Sequence, residues 1–342
     1  ANKYMDALAK ELGISVETAM KAAQATTTDV FDSSSLGKEM ADAFIDLVVD
    51  QTALLKACRL YRTSKRSGDM PKIDISGYVT EKATENATST ETRRADDTPL
   101  EYVTKKTRSQ IDISGETEED TIEGPSHRQR TVERFATAIG NDMETLAIEG
   151  DLSQGGTDDY SRLVKTNDGW HVLTGLDDGA HIVSAGAKRG SWKLLKAMLK
   201  NLPKKYRVNN GISKYRWIMS PNEVLDIQEE AEERSTPLGD NAYSSKGDLT
   251  PLGIPILEVP LMPENLAVTG TSSTGSFIWL ANPQNFIYVV QRSLRWFYDP
   301  VPRYDRTEVT AFMRTDFVVE NADAVVKATN LVLDDAVARY GA

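Results

Sequence analysis

The residues that could do chemistry are few and far apart. Three histidines, His127, His171 and His181, share no metal-like spacing, and a single cysteine, Cys58, excludes both an internal disulfide and a zinc site of the usual Cys/His kind. Cys58 lies in "ALLKACRLY" and reads as a small buried hydrophobe rather than a reactive thiol. His171, in "DGWHV", is the best-placed acid or base, since imidazole changes charge near neutral pH. The plainer reading is a polar histidine at a strand end. The run "QEEAEE" at 228–233 could supply paired carboxylates to a hydrolase, but a solvated helix face explains it as well. There is no phosphate-loop glycine-lysine signature, no Rossmann fingerprint, no GxSxG elbow and no HExxH. Nothing in this inventory favours an enzyme or implies a cofactor, and an intracellular hydrolase stays a remote alternative.

The bulk properties narrow the class further. A chain of 342 residues, 40% apolar and 27% charged, has the composition of a soluble globular protein with material for two domains or one large one. A net charge of −11 argues against a surface built to grip nucleic acid, which needs clustered Lys and Arg. The N-terminus has no signal-peptide core and no apolar run reaches the length of a membrane span, so a reducing cytosol is the expected compartment.

Residues 1–60 read as helical. Met5, Leu8 and Leu12 share one face up to Gly13; Met40, Phe44, Leu47, Val48 and Leu54 recur at helical spacing after a polar break at 26–35. "LAKELGISVETAMKA" has the spacing of a DNA-reading helix-turn-helix. With Lys3, Lys10 and Lys21 against Asp6, Glu11, Glu17 and Asp29, however, residues 1–30 are acidic, and an amphipathic arm is the better reading.

The pentapeptide "IDISG" occurs at 73–77 and again at 111–115, bracketing a polar stretch. Strand-like residues run from Lys72 to about Lys82 and from about Leu100 to Ser114, and the two copies are expected to face each other across the base of one long hairpin with its tip near Arg93. Residues 62–110 carry ten Lys and Arg against eight Asp and Glu, a positive island in a negative chain. Their large apolar side chains are only Met70, Ile73, Ile75, Tyr78, Val79, Leu100, Tyr102 and Val103. Ordering costs about 1–2 kcal/mol per residue, more than so few buried side chains offset, and an isolated two-stranded ribbon is marginal. The hairpin is therefore expected to lie on other copies of the chain. Its charged residues Lys82, Glu85, Glu91, Arg93, Arg94, Asp96, Asp97, Lys105, Lys106 and Arg108 would make the inter-subunit contacts.

Downstream, "SHRQRTVERFATAIGNDMETLAIEGD" predicts a helix over 126–148, with a Ser126/Gln129 capping box and a stripe of Val132, Phe135, Ala136, Ile139, Met143, Leu146 and Ala147. Gly140 inside it implies a close neighbour. "GWHVLTG" and "AHIVSAG" predict short strands, "SWKLLKAMLKNLP" a helix capped by Ser191, and "KYRWIMS" a buried strand. A helix follows at "SPNEVLDIQEEAEER", with Ser220 and Glu223 as a second capping box and Pro221 in its first turn. One strand is expected near Ile254–Val259. After Ser276 the chain turns strongly β, with Phe312, Arg314 and Asp316 alternating against Ala311, Met313, Thr315 and Phe317.

This order of parts resembles the major capsid proteins of tailed bacteriophages, the Hong Kong 97-type fold. "SGETEEDTIEG" and "GNDMETLAIEGD" flank the helix; "MSPNEVLDIQ", "TPLGIPILEVPLMP" and "MRTDFVVENADAVVKAT" follow in order, and the likeness spans nearly the whole chain. It implies an α+β fold with an N-terminal helical arm (1–60) and an extended β-hairpin loop (61–114). A peripheral domain (115–164 and 285–330) would hold the spine helix 126–148 and long antiparallel strands. A mixed α/β axial domain (165–284) and a C-terminal tail (331–342) complete the plan. The implied function is structural: self-assembly into pentamers and hexamers of an icosahedral head enclosing double-stranded DNA. Portal, scaffolding and decoration proteins would be partners, in a virion assembled in the host cytoplasm and without a membrane. Some members of that family join a loop lysine to a peripheral-domain asparagine; here Lys82 would be the donor and Asn321 or Asn330 the acceptor. Nanocompartment shells, which enclose cargo enzymes, share the fold and are the main alternative.

Overall fold

The computed structural model describes residues 52–74, 96–97, 99–116, 126–173, 181–207, 212–232, 250–333 and 337–341. The expected helices of 1–51 and the candidates Lys82, Glu85, Glu91, Arg93 and Arg94 lie outside them. The chain forms two compact units. One holds Arg108–Phe135 and Ser293–Met313; the other holds Asp46–Thr107, Ala136–Arg292 and Arg314–Ala342.

The larger unit carries a six-stranded sheet. Its strands are β7 (Ile182–Lys188), β8 (Arg216–Met219), β9 (Ile256–Glu258), β10 (Leu266–Ala267), β11 (Thr274–Ala281) and β14 (Val326–Val332). They run in the order β7-β14-β11-β8-β9, with β10 paired to β11. Helix α4 (Trp192–Asn201) begins at Ser191, whose hydroxyl accepts the Leu194 N–H. It packs Leu194, Leu195 and Met198 onto Trp217, Ile278, Leu280 and Leu331, all buried. Helix α5 (Pro221–Glu232) adds Ile227 to the same core. A second, aromatic cluster brings Trp170 4.9 Å from Phe286 and 5.7 Å from Phe317, with Tyr288 stacked on Phe317 at 5.6 Å. Among the described residues no helix is long and apolar enough to cross a membrane.

A four-stranded sheet has the order β1-β12-β13-β6, from strands β1 (Arg59–Arg62), β6 (Lys105–Ser114), β12 (Phe286–Val301) and β13 (Arg306–Val319). The expected alternation in β13 holds from Val309 to Thr315, with Ala311, Met313 and Thr315 buried and Phe312 and Arg314 half-buried, and ends at Asp316, which is buried like Phe317. In the smaller unit Phe297 meets Phe312 edge-on at 5.7 Å and Phe135 meets Trp296 at 5.6 Å. There the chain turns through Asp305 in the left-handed region (φ 46°), whose carbonyl accepts the Gly115 N–H; Arg306 bridges Asp112 at 3.2 Å and Glu308 at 2.7 Å. Helix α2 spans Ser126–Glu149. It buries Ala136, Ile139, Met143, Leu146 and Ala147 as its periodicity predicts, together with Gly140.

Four expectations are corrected. Helix α1 covers only Ala53–Ala57, and the residues after Cys58 are extended rather than helical, because Arg59–Arg62 pairs in parallel with Ile287–Val290 and so satisfies its backbone in the sheet. "GWHVLTG" gives no strand within its described residues. Gly169, Trp170 and His171 instead wrap the C-terminus of α2, donating their N–H groups to the carbonyls of Gly150, Ala147 and Ile148. The Ser220/Glu223 capping box is half formed: the Ser220 hydroxyl accepts the Glu223 N–H, but the Glu223 carboxyl turns inward.

The largest correction concerns the repeat. A hairpin is present, with β2 (Ser67–Met70) antiparallel to β5 (Leu100–Val103) and β3 (Ile73–Asp74) antiparallel to β4 (Asp96–Asp97). Ser67 lies opposite Val103 and Asp74 opposite Asp96, one register in both ladders; the expected tip near Arg93 lies outside the described residues. The described residues of the first "IDISG", Ile73 and Asp74, therefore face Asp97 and Asp96. The second lies in β6, a neighbour of β13, so the two copies are not partners. Ile73–Asp74 and Ile111–Ser114 are both strand, but side-chain packing at the root sets the register.

Candidate functional site: the root of the long hairpin

The root begins with two side chains. Strand alternation turns Met70 and Tyr102 to one face, and both are buried on Ile287, Val289 and Val318 of the same chain. The neighbouring Ser67, Asp69, Glu101 and Val103 are exposed. Tyr102 meets Tyr61 edge-on at 5.9 Å and its hydroxyl lies 2.9 Å from Thr63 Oγ1. Gly68 sits against that ring: a Cβ there would come 2.8 Å from the Tyr102 hydroxyl. The hairpin thus has a foothold on its own subunit, which the sequence reading did not allow for.

Polar groups complete the anchorage. Thr104 donates both its N–H (2.9 Å) and its hydroxyl (2.8 Å) to the Arg66 carbonyl. Lys72 Nζ donates to the Glu320 carbonyl at 3.0 Å, and Arg59 pairs with the Glu320 carboxylate at 3.1 Å. The central group is Asp316, 9% exposed. Its Oδ2 accepts the Val103 N–H at 2.8 Å; its Oδ1 accepts Asn167 Nδ2 at 2.9 Å and the Phe317 N–H at 3.0 Å. Burial raises the Asp316 pKa, although these three donors and Lys105 act to lower it. The carboxylate ties the hairpin to the loop after α2 and to the long strand β13. Asp316→Ala is expected to leave the Val103 N–H and the Asn167 amide without an acceptor, costing about 2–4 kcal/mol. Urea unfolding reads that loss, and amide exchange at Val103 reads release of the root.

Of the predicted interface residues, the five that are described fall on two strands rather than in one cluster. Asp96 and Asp97 form β4; Lys105 is half-buried on β6, and Lys106 and Arg108 are exposed there. Asn321 accepts the Asp323 N–H and donates to the Tyr206 hydroxyl at 2.6 Å. Asn330, at φ 57°, donates to the Ser184 hydroxyl and accepts the Thr269 N–H. Both amides are thus engaged within the chain. Sequence reasoning missed Asp316 and Asn167; the available signal was a carboxylate between the apolar ends of "FMRTDFVV", where the alternation gives way to a buried run.

The residues first considered for chemistry have structural places. His171 packs 4.6 Å from the Phe277 ring with Nε2 3.4 Å from Lys327 Nζ, and His181 pairs with Asp323 at 3.5 Å. The side chain of His127 lies outside the described residues. Burial and the nearby Glu144 push the Cys58 thiol up to about 12, the reverse of an activated nucleophile. The "QEEAEE" run is more than a solvated face: Glu229 binds Arg189 and Arg339, both at 2.7 Å, and Glu230 accepts the Trp192 N–H at 2.6 Å. Among the described residues no group of His, Cys, Asp and Glu could hold a metal ion.

Comparison with known proteins places this architecture. The model of the phage capsid family matches residues 36–330. YqbE of Bacillus subtilis (strain 168), named as a prophage capsid protein, is 24% identical over 311 residues, 89% of this chain and 95% of that protein. A chain of the satellite phage P4 procapsid superposes with a TM-score of 0.60 at 13% identity, over 85% of this chain and 99% of that one. The holo-SrpI encapsulin complex of Synechococcus elongatus gives a TM-score of 0.54 at 11% identity, over 82% of this chain and 88% of that one.

Proposed function

We propose, from the premise that this chain belongs to the phage capsid family, that it is the major structural subunit of a phage head and assembles with copies of itself into capsomers. The observation that carries the reading is the coincidence of that family match, over most of the chain, with an α+β fold shared with capsid structures along nearly their whole length. The finer statements are proposals. The capsomers are pentamers and hexamers of an icosahedral shell, built in the host cytoplasm around double-stranded DNA, with portal, scaffolding and decoration proteins as partners. The arm, loop, peripheral and axial segments divide at the boundaries given above. The hairpin, rooted through Asp316 and Tyr102, reaches a neighbouring copy through its charged residues, Lys105, Lys106 and Arg108 among them. A structural role of this kind calls for no catalytic centre.

The likeness to the encapsulin complex supports one second reading, a nanocompartment shell. Neighbouring genes separate the two: a portal and a large terminase for a phage head, a cargo enzyme for a compartment. For both readings, negative-stain microscopy of the purified chain is expected to show rings and closed particles. A small, closed oligomer at every concentration would overturn both and reopen the hydrolase alternative.

A further inference from the structure

The larger unit holds a carboxyl group that meets no hydrogen-bond donor among the described residues. Glu223, in the first turn of α5, is 0% exposed, and neither of its oxygens reaches a hydrogen-bond donor among the described residues. Its side chain lies against the backbone of Gly190, where a Cβ would come 2.8 Å from Oε2. The charged groups facing it are Asp226 from its own helix, Arg189 from the end of β7, and Glu264 from the loop between β9 and β10. Arg189 is already committed to Asp226 and Glu229.

The same backbone receives the C-terminal segment. The Arg189 N–H donates to the Ala338 carbonyl at 3.3 Å, the Tyr340 N–H to the Arg189 carbonyl at 3.1 Å, and the Ser191 hydroxyl to the Tyr340 carbonyl at 2.9 Å. Arg339 then donates to the Glu229 carboxylate at 2.7 Å and to the Asp226 carbonyl at 2.6 Å. Gly190 is thus flanked on one side by the buried acid and on the other by residues 338–340.

We propose that Glu223 is a proton-operated latch on the C-terminal segment: as a neutral acid it lets residues 337–341 dock along Arg189–Ser191, and its ionisation releases them. A charge on Glu223 repels Asp226 and draws on Arg189, so the shared pairs that hold Arg189 and Arg339 around Glu229 weaken together. Burial, with Asp226 and Glu264 adding to it and Arg189 opposing, raises the Glu223 pKa to about 8. The raised value means the fold favours the neutral form. Docking is therefore strongest at acid pH, weakens above the ordinary carboxyl range, and is lost as pH rises through about 8.

Amide hydrogen exchange on the full-length chain, corrected for intrinsic rates, tests this between about pH 6 and pH 9.5. Protection of the Tyr340 N–H is expected to fall about tenfold across a midpoint near 8 in the parent protein and to stay level in Glu223→Gln. A second variant leaves Glu223 in place: Glu264→Gln removes one like charge and is expected to move the midpoint to lower pH. Level protection in the parent, an unchanged midpoint in Glu264→Gln, or a parent-like profile in Glu223→Gln each overturns the proposal.

Discussion

Removing residues 75–95 and closing the gap with Asn-Gly is expected to leave a folded subunit that forms no rings or shells. Asp74 and Asp96 are already paired, so a two-residue turn continues the existing register. The excised stretch contributes only Ile75, Tyr78 and Val79 as large apolar residues, whereas the packed root, Met70 and Tyr102, is retained. Stability should therefore change by no more than about 1 kcal/mol, while sedimentation and microscopy show assembly lost. Shells of normal size from this variant would remove the hairpin from the assembly mechanism. A broader deletion, Gly77–Arg108, is a different experiment. It takes away Tyr102 and the Val103 N–H bound by Asp316, so its failure would report misfolding rather than a lost contact.

Gly150→Ala is expected to cost about 4 kcal/mol, at the upper end for a single substitution. At the end of α2, Gly150 and Gly169 lie back to back. A Cβ on Gly150 would run into the Asn167 carbonyl and come 2.6 Å from both the Gly169 nitrogen and the Leu146 carbonyl. All three obstacles are backbone, so no rotamer change relieves them. Because Asn167 also holds Asp316, the strain reaches the hairpin root. Gly155→Ala, with nothing within 4 Å of its Cβ, is the control and should shift the urea midpoint little. Equal behaviour of the two variants would contradict the close packing at the helix end.

What the sequence disclosed follows from what periodicity can encode. The stripe of α2, the Ser191 cap of α4 and the alternation of β13 are local signals, and each is found where the residues place it. Pairing is not local. Nothing in "IDISG" says that Ile73 and Asp74 of one copy face Asp97 and Asp96 while the other neighbours β13, because a strand's partners are chosen by packing far away in sequence. Arg59–Arg62 continues a helical spacing but is drawn into the sheet by β12. The residues of "GWHVLTG" carry strand propensity but are needed to satisfy carbonyls at the end of α2. Asp316 and Glu223 were readable as types but not as roles. A carboxyl's meaning depends on which donors surround it: those of Asp316 come from β5, β13 and the loop after α2, and Glu223 meets none among the described residues.

The last long strand, β14, does not sit at the rim of its sheet but between β7 and β11, two strands made far earlier. Both of those neighbours must wait, unzipped along one side, until translation has reached Val332. A polypeptide that stalls short of that point lacks its middle plank and cannot masquerade as a finished building block. Without that plank, β7 and β11 lose the neighbour they share.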